Sequence, residues 1–134
     1  MTGINYLAVI VTAMAALVQG ALWYSVLFGS QWLSLRGIDP SAVAGARPPL
    51  WQLIAEFLRC LVVAVVLAGL LARLEITSLG GALLLAVVLW LGFQAMAVLG
   101  GVIHENYPWQ LYAIHVGDAL VKTALMSLIL VAWR

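Results

Sequence analysis

Charge is what this sequence has least of. Six lysines and arginines and five aspartates and glutamates are spread over 134 residues, 8% of the chain, where soluble domains carry about 25%. So few charges cannot cover the surface of a water-soluble protein. The net charge of +1 gives no electrostatic footprint for nucleic acid. Cysteine is nearly absent too: Cys60 stands alone, which rules out an intrachain disulfide. In an apolar stretch it reads as a small packing residue. No glycine-rich phosphate loop, nucleophile elbow or cysteine cluster occurs. No Lys or Arg precedes the first apolar stretch, so that stretch is expected to be a membrane span and not a signal peptide.

What fills the chain instead is apolar, 66% of all residues. It falls into four runs long enough to cross a hydrocarbon core of about 30 Å. The expected fold is all-α: one transmembrane domain over 1–134, an integral membrane four-helix up-down-up-down bundle. Its helices are placed at about 4–28, 51–72, 79–102 and 109–133, with a loop over 29–50. Tyr6, Trp23 and Tyr24 read as interfacial aromatics of the first helix. Ala8, Thr12, Ala16 and Gly20 recur every four residues there, and Cys60, Ala64, Ala68 and Ala72 do so in the second helix. Such ridges of small residues let another helix approach closely. In the loop, Gln31, Trp32 and Leu33 suit an interfacial segment. Asp39 and Pro40 suit the cap and first position of a short helix. The connector 104–108 should be a tight turn, with Pro108 opening the last helix. Arg36 and Arg47 lie on one side and Arg73 and Arg134 on the other, so loop charge sets no orientation.

The last helix organises the rest. His115, Asp118 and Lys122 are spaced i, i+3 and i+7 and share one face. Asp118 lies about 13 Å below Trp109 at 1.5 Å per residue, near mid-membrane. A charge at that depth needs partners. Measured the same way, Arg59 is about 12 Å and Glu56 about 7.5 Å deep, while Gln19 and Gln94 are about 12–14 Å deep. All four helices thus carry a polar residue at one level. Arg59 is expected to pair with Asp118, and Glu56 with His115. Gln19 and Gln94 should lie close by. Lys122 either pairs with Asp118 at i+4 or reaches toward the terminal side. The layer reads either as a proton or ion relay or pocket for a polar head group, or as a network that only fixes which helix faces which.

His104 and Glu105, with His115 and Asp118, invite a metal reading, but their spacing fits no zinc pattern. They read as a solvated helix end, with Glu105 and Asn106 satisfying free amides. No metal and no cofactor is expected. Trp90 reads as packing.

Two stretches carry a family likeness. Asn5-Tyr6-Leu7-Ala8-Val9, then Gly20-Ala21-Leu22-Trp23-Tyr24-Ser25 with Phe28-Gly29 and Trp32, lie in the first third. His104-Glu105, Pro108-Trp109, Ala113-Ile114, Gly117 and Ala132-Trp133 lie in the last. Together they resemble the DUF1761 family of small bacterial membrane proteins, over roughly half the chain. The resemblance implies four transmembrane helices in a bacterial inner membrane, and it carries no catalytic residue. The family pattern has Pro where Val26 stands, Asn at His115 and Tyr at Asp118. The charged part of the last helix is therefore a departure.

The expectation is a protein that is not an enzyme. Its role is structural or interactive, as a homo-oligomer or an accessory subunit of a larger membrane complex. The alternative is a small transporter or a proton- or ion-conducting unit that uses the buried polar layer. Its partners would be the lipid bilayer and other membrane protein chains, with no nucleic acid.

Overall fold

The computed structural model describes residues 4–39, 41 and 49–133. These residues form helices and turns only. The helices are α1 (Tyr6–Leu27), α2 (Gly29–Leu35), α3 (Leu50–Arg73), α4 (Leu79–His104) and α5 (Trp109–Ala132). All but α2 are long and apolar enough to cross a membrane. The expected interfacial segment around Trp32 is α2. The expected helix after Asp39 lies largely outside the described residues; within them, the Ser41 amide donates to Asp39 Oδ1 at 3.0 Å.

Local chemistry explains the ends. Asn5 Oδ1 accepts from the Ala8 amide at 3.1 Å, and Ser78 Oγ from the Gly81 amide at 3.0 Å. Each is an N-cap that satisfies an amide the helix cannot. α3 and α5 instead begin directly after Pro49 and Pro108, whose missing amides would be unpaired there anyway. Pro108 thus stands one residue outside its expected place, as the cap. The 104–108 connector is tight, as expected: Asn106 is left-handed at φ 53°, and the Tyr107 amide returns to the Gly101 carbonyl at 3.1 Å.

Glu75 closes α3 in the same left-handed conformation, at φ 55°. A side chain there costs about 1–2 kcal/mol that glycine avoids. Glu75→Gly should therefore raise the unfolding temperature in detergent and Glu75→Val should lower it. The reverse ranking would show that contacts of the Glu75 side chain, and not the backbone, decide the turn.

α5 is the hub. It packs on α1, α3 and α4, and α1 and α3 make the most extensive helix pair. α3 and α4 are joined by a short turn yet do not pack on each other. One buried cluster joins Ala8, Val9, Ala13 and Ala16 of α1, Cys60, Ala64, Leu67 and Leu71 of α3, Ala82 of α4, and Met126, Leu130 and Val131 of α5. The small-residue ridges are there, but they face inward. They bring α1 and α3 together inside this chain, so they are no longer a reason to expect a second one. The outer faces are apolar, with Leu7 and Ile10, Val62 and Val66, and Leu84 and Val88 exposed.

Two wide π turns interrupt this regular pattern. One covers Trp23–Leu27 at the end of α1, and the other Trp90–Ala95 in the middle of α4. In the first, the Phe28 amide reaches back five residues to the Trp23 carbonyl at 2.9 Å.

Candidate functional site

Away from the apolar cluster, toward the end where α5 begins, the bundle opens. A groove of about 710 Å³ runs between α1, α3 and α5. Its α5 side carries His115, Asp118 and Lys122, on one face as their spacing requires. α1 contributes Gly20, Ala21 and Tyr24, and α3 contributes Gln52, Glu56 and Arg59. Trp32 of α2 and Trp51 complete it. A second cleft of about 570 Å³ lies where α3 and α4 fail to pack. It shares Glu56, Arg59, Asp118 and Lys122 and adds Gln94, Thr123 and Met126.

The centre of the site is an ion pair along α5. Lys122 Nζ lies 3.2 Å from Asp118 Oδ2, with side chains only 18% and 10% exposed. Helical side chains lean toward their own N-terminus, so Lys122 reaches back up one turn to Asp118 and away from the terminal side. Gly20 makes room for it: a Cβ at that position would sit 3.1 Å from Nζ. The other carboxylate oxygen, Asp118 Oδ1, is buried and has no partner among the described residues. The same holds for the Trp32 indole nitrogen. The groove therefore holds one unmatched acceptor and one unmatched donor.

Aromatic side chains fix α5 on its neighbours. The Trp23 indole donates to the Ile114 carbonyl at 2.9 Å, and the Trp90 indole to the Val116 carbonyl at 2.7 Å. Both tryptophans open a π turn. The Tyr112 hydroxyl donates to the Ala95 carbonyl, at the close of the second turn, at 2.8 Å. The Tyr24 hydroxyl and His115 Nδ1 lie 2.5 Å apart in a hydrogen bond. Gly117 lets the Trp23 ring lie flush, since a Cβ there would come within 2.9 Å of it. Beyond the long helices, burial holds the Tyr107 phenol above its ordinary pKa, and the Ser41 amide holds the Asp39 carboxyl below its own.

A family model described as a protein of unknown function (DUF1761) matches residues 7–131. The chain belongs to the DUF1761 family. No curated protein and no solved structure matches it. The family match runs through α3 and α4 as well as the first and last thirds, and so exceeds the half of the chain on which the resemblance rested.

Against that frame of residues, the expected pairings need correction. Arg59 does not meet Asp118. It bonds Glu56 on its own helix, Nη1 to Oε2 at 2.5 Å, and its side chain is 76% exposed. The depth argument put both residues in one groove, but it could not see that Lys122 reaches Asp118 without crossing between helices. Glu56 does not meet His115, because Tyr24 takes the imidazole. Gln94 accepts from Thr123 Oγ at 3.0 Å, while the Gln19 amide is buried without a partner among the described residues. His104 and Glu105 are exposed at the end of α4. Among the described residues, no three His, Cys, Asp or Glu side chains gather as a metal ion would need.

Sequence reading missed the four tethers. Trp23 and Tyr24 were expected only as interfacial anchors, and Trp90 only as packing. One signal was available: Gly117 in mid-helix, where glycine costs stability unless something must approach closely.

Proposed function

We propose that this DUF1761 chain is a multi-pass protein of the bacterial inner membrane that takes the head of an amphiphile from the bilayer into its groove. It would do so by binding and not by catalysis. The observation that carries this reading is the division of the bundle into two halves. One half is an apolar cluster of Leu67, Leu71, Met126, Leu130 and Val131. The other is a groove with paired charges and unmatched polar atoms. Polar groups at hydrocarbon depth are expensive and mark a site. An apolar block next to them suits a pocket closed at one end better than a conducting path. The up-down order of the four helices, with α3 and α5 entering from the groove end, follows from their short connections.

A second reading, as an accessory subunit or homo-oligomer, has one observation of its own. The cleft between α3 and α4 has α5 as its floor and leaves Met126 and Thr123 facing a space that a helix of another chain would fill.

Native mass measurement of the protein, taken from its own membranes in mild detergent, tests both. The groove reading expects one chain carrying a small amphiphile, with the adduct reduced in Trp32→Leu. A second chain in the particle and no amphiphile would favour the accessory reading. A bare single chain would sink both.

A further inference from the structure

We infer that the groove selects an uncharged, flat ring head with oxygens that both accept and donate hydrogen bonds, borne on an apolar tail. This is the quinone class of membrane amphiphile. The inference rests on the groove reading and narrows it.

Three observations lead to it. The first is charge. Glu56 and Asp118 are balanced by Arg59 and Lys122 in the same groove, two acids against two bases. An electroneutral site set in hydrocarbon gains nothing from a ligand of net charge. A phosphodiester drawn down to Asp118 would lose its hydration with no free countercharge to meet it. An uncharged head on an apolar tail reaches that depth without this cost.

The second is the pair of unmatched atoms. The Trp32 indole nitrogen is a donor only, and Asp118 Oδ1, on a residue 7% exposed, is an acceptor only. A ring carbonyl satisfies the first, and a ring hydroxyl satisfies the second. A quinone and its quinol present these two groups on one framework. Lys122 adds further N–H donors beside Asp118, since its ammonium has three and one is directed at Oδ2. A choline head offers no donor to Asp118, and an alkyl chain offers neither group.

The third is shape. Tyr24 stands edge-on to Trp32 with ring centres 5.8 Å apart, and tilted to His115 at 5.5 Å. The Arg36 guanidinium caps the Trp32 ring at 5.1 Å and helps hold it in place. Flat side chains in fixed orientations favour a flat ring, which stacks on them or meets their edges, over a flexible head group.

The test uses the full chain in detergent, titrated with the short-tailed ubiquinone-1 and, separately, with its quinol. Tryptophan quenching and the shift in unfolding temperature are followed together. Saturable binding is expected for both forms. Trp32→Phe should raise the quinone dissociation constant about 3–10-fold, the loss of one hydrogen bond. It is read from the midpoint, because the variant also loses a fluorophore. The double variant Asp118→Asn with Lys122→Met removes the ion pair without leaving a lone charge, and it should weaken the quinol more than the quinone. Trp109→Phe, outside the groove, should change neither midpoint. Non-saturable quenching equal in wild type and Trp32→Phe would mean simple partitioning and would overturn the inference. A native adduct identified as a phospholipid, undisplaced by ubiquinone-1, would overturn the quinone class and leave the groove reading intact. A protein that retains no amphiphile of any kind would take both away.

Discussion

Asp118→Asn alone should lower the unfolding temperature in detergent more than Asp118→Asn combined with Lys122→Met. The two side chains are buried together, at 10% and 18% exposure, and meet at 3.2 Å. Removing one member of such a pair leaves an uncompensated charge and costs about 3–5 kcal/mol, whereas replacing both with uncharged groups of similar volume is often neutral. Lys122 has no easy escape. Its ammonium is directed up α5 beside Gly20, where a single Cβ would already crowd it. Arg59→Gln is the contrast. That side chain is 76% exposed and bonds its own helix, so its loss should have little effect. Thermal unfolding of the four proteins decides the matter. A double variant as unstable as Asp118→Asn would show that the lysine finds other partners and that the pair is not a unit. An Arg59→Gln loss as large as that of Asp118→Asn would restore the cross-helix pairing that the geometry denies.

Gly117→Ala should also be costly, by about 1–3 kcal/mol, through overpacking. The added methyl would stand 2.9 Å from the Trp23 ring, closer than real side chains tolerate. The ring cannot simply swing aside, because its indole is bonded to the Ile114 carbonyl at 2.9 Å and its face packs on Phe28 with ring centres 4.7 Å apart. In most exposed helix positions the same change would stabilise. The argument predicts strong coupling. In a Trp23→Phe background, which already lacks the indole bond and has a smaller ring, Gly117→Ala should cost much less. Additive losses in that double-mutant cycle would place the strain elsewhere.

The long helices were legible because hydrocarbon imposes a length and a composition that few other constraints imitate. The polar layer was legible because a carboxylate near mid-helix is too costly to be incidental. Which groups pair was not. Arg59 and Asp118 were matched by depth, and depth is one coordinate out of three. Rotation about the helix axis decides whether a side chain faces a neighbour or its own preceding turn. For Lys122 and Arg59 the preceding turn wins, since an acid lies four residues back in one case and three in the other. The ridges were read correctly as surfaces for close approach, but periodicity does not say whether the approaching helix belongs to the same chain. The tethers were hidden for a different reason. A tryptophan at a helix end has a ready interfacial explanation, and nothing in composition separates it from one whose indole bonds a carbonyl 91 residues away.

The π turns bear on how chains of this kind are to be aligned. A π turn holds one residue more than the α turn it replaces, so α1 and α4 each contain a residue that their length does not need. A relative lacking one residue within Trp90–Ala95 would still span the same thickness. Everything after the deletion would be turned by about 100° about the axis. The Ala95 carbonyl would leave Tyr112, and the wall that α4 gives the cleft would present different side chains to Gln94's partner Thr123. A single-position gap there is thus a statement about which face of the helix meets α5, and it separates two kinds of site within one fold.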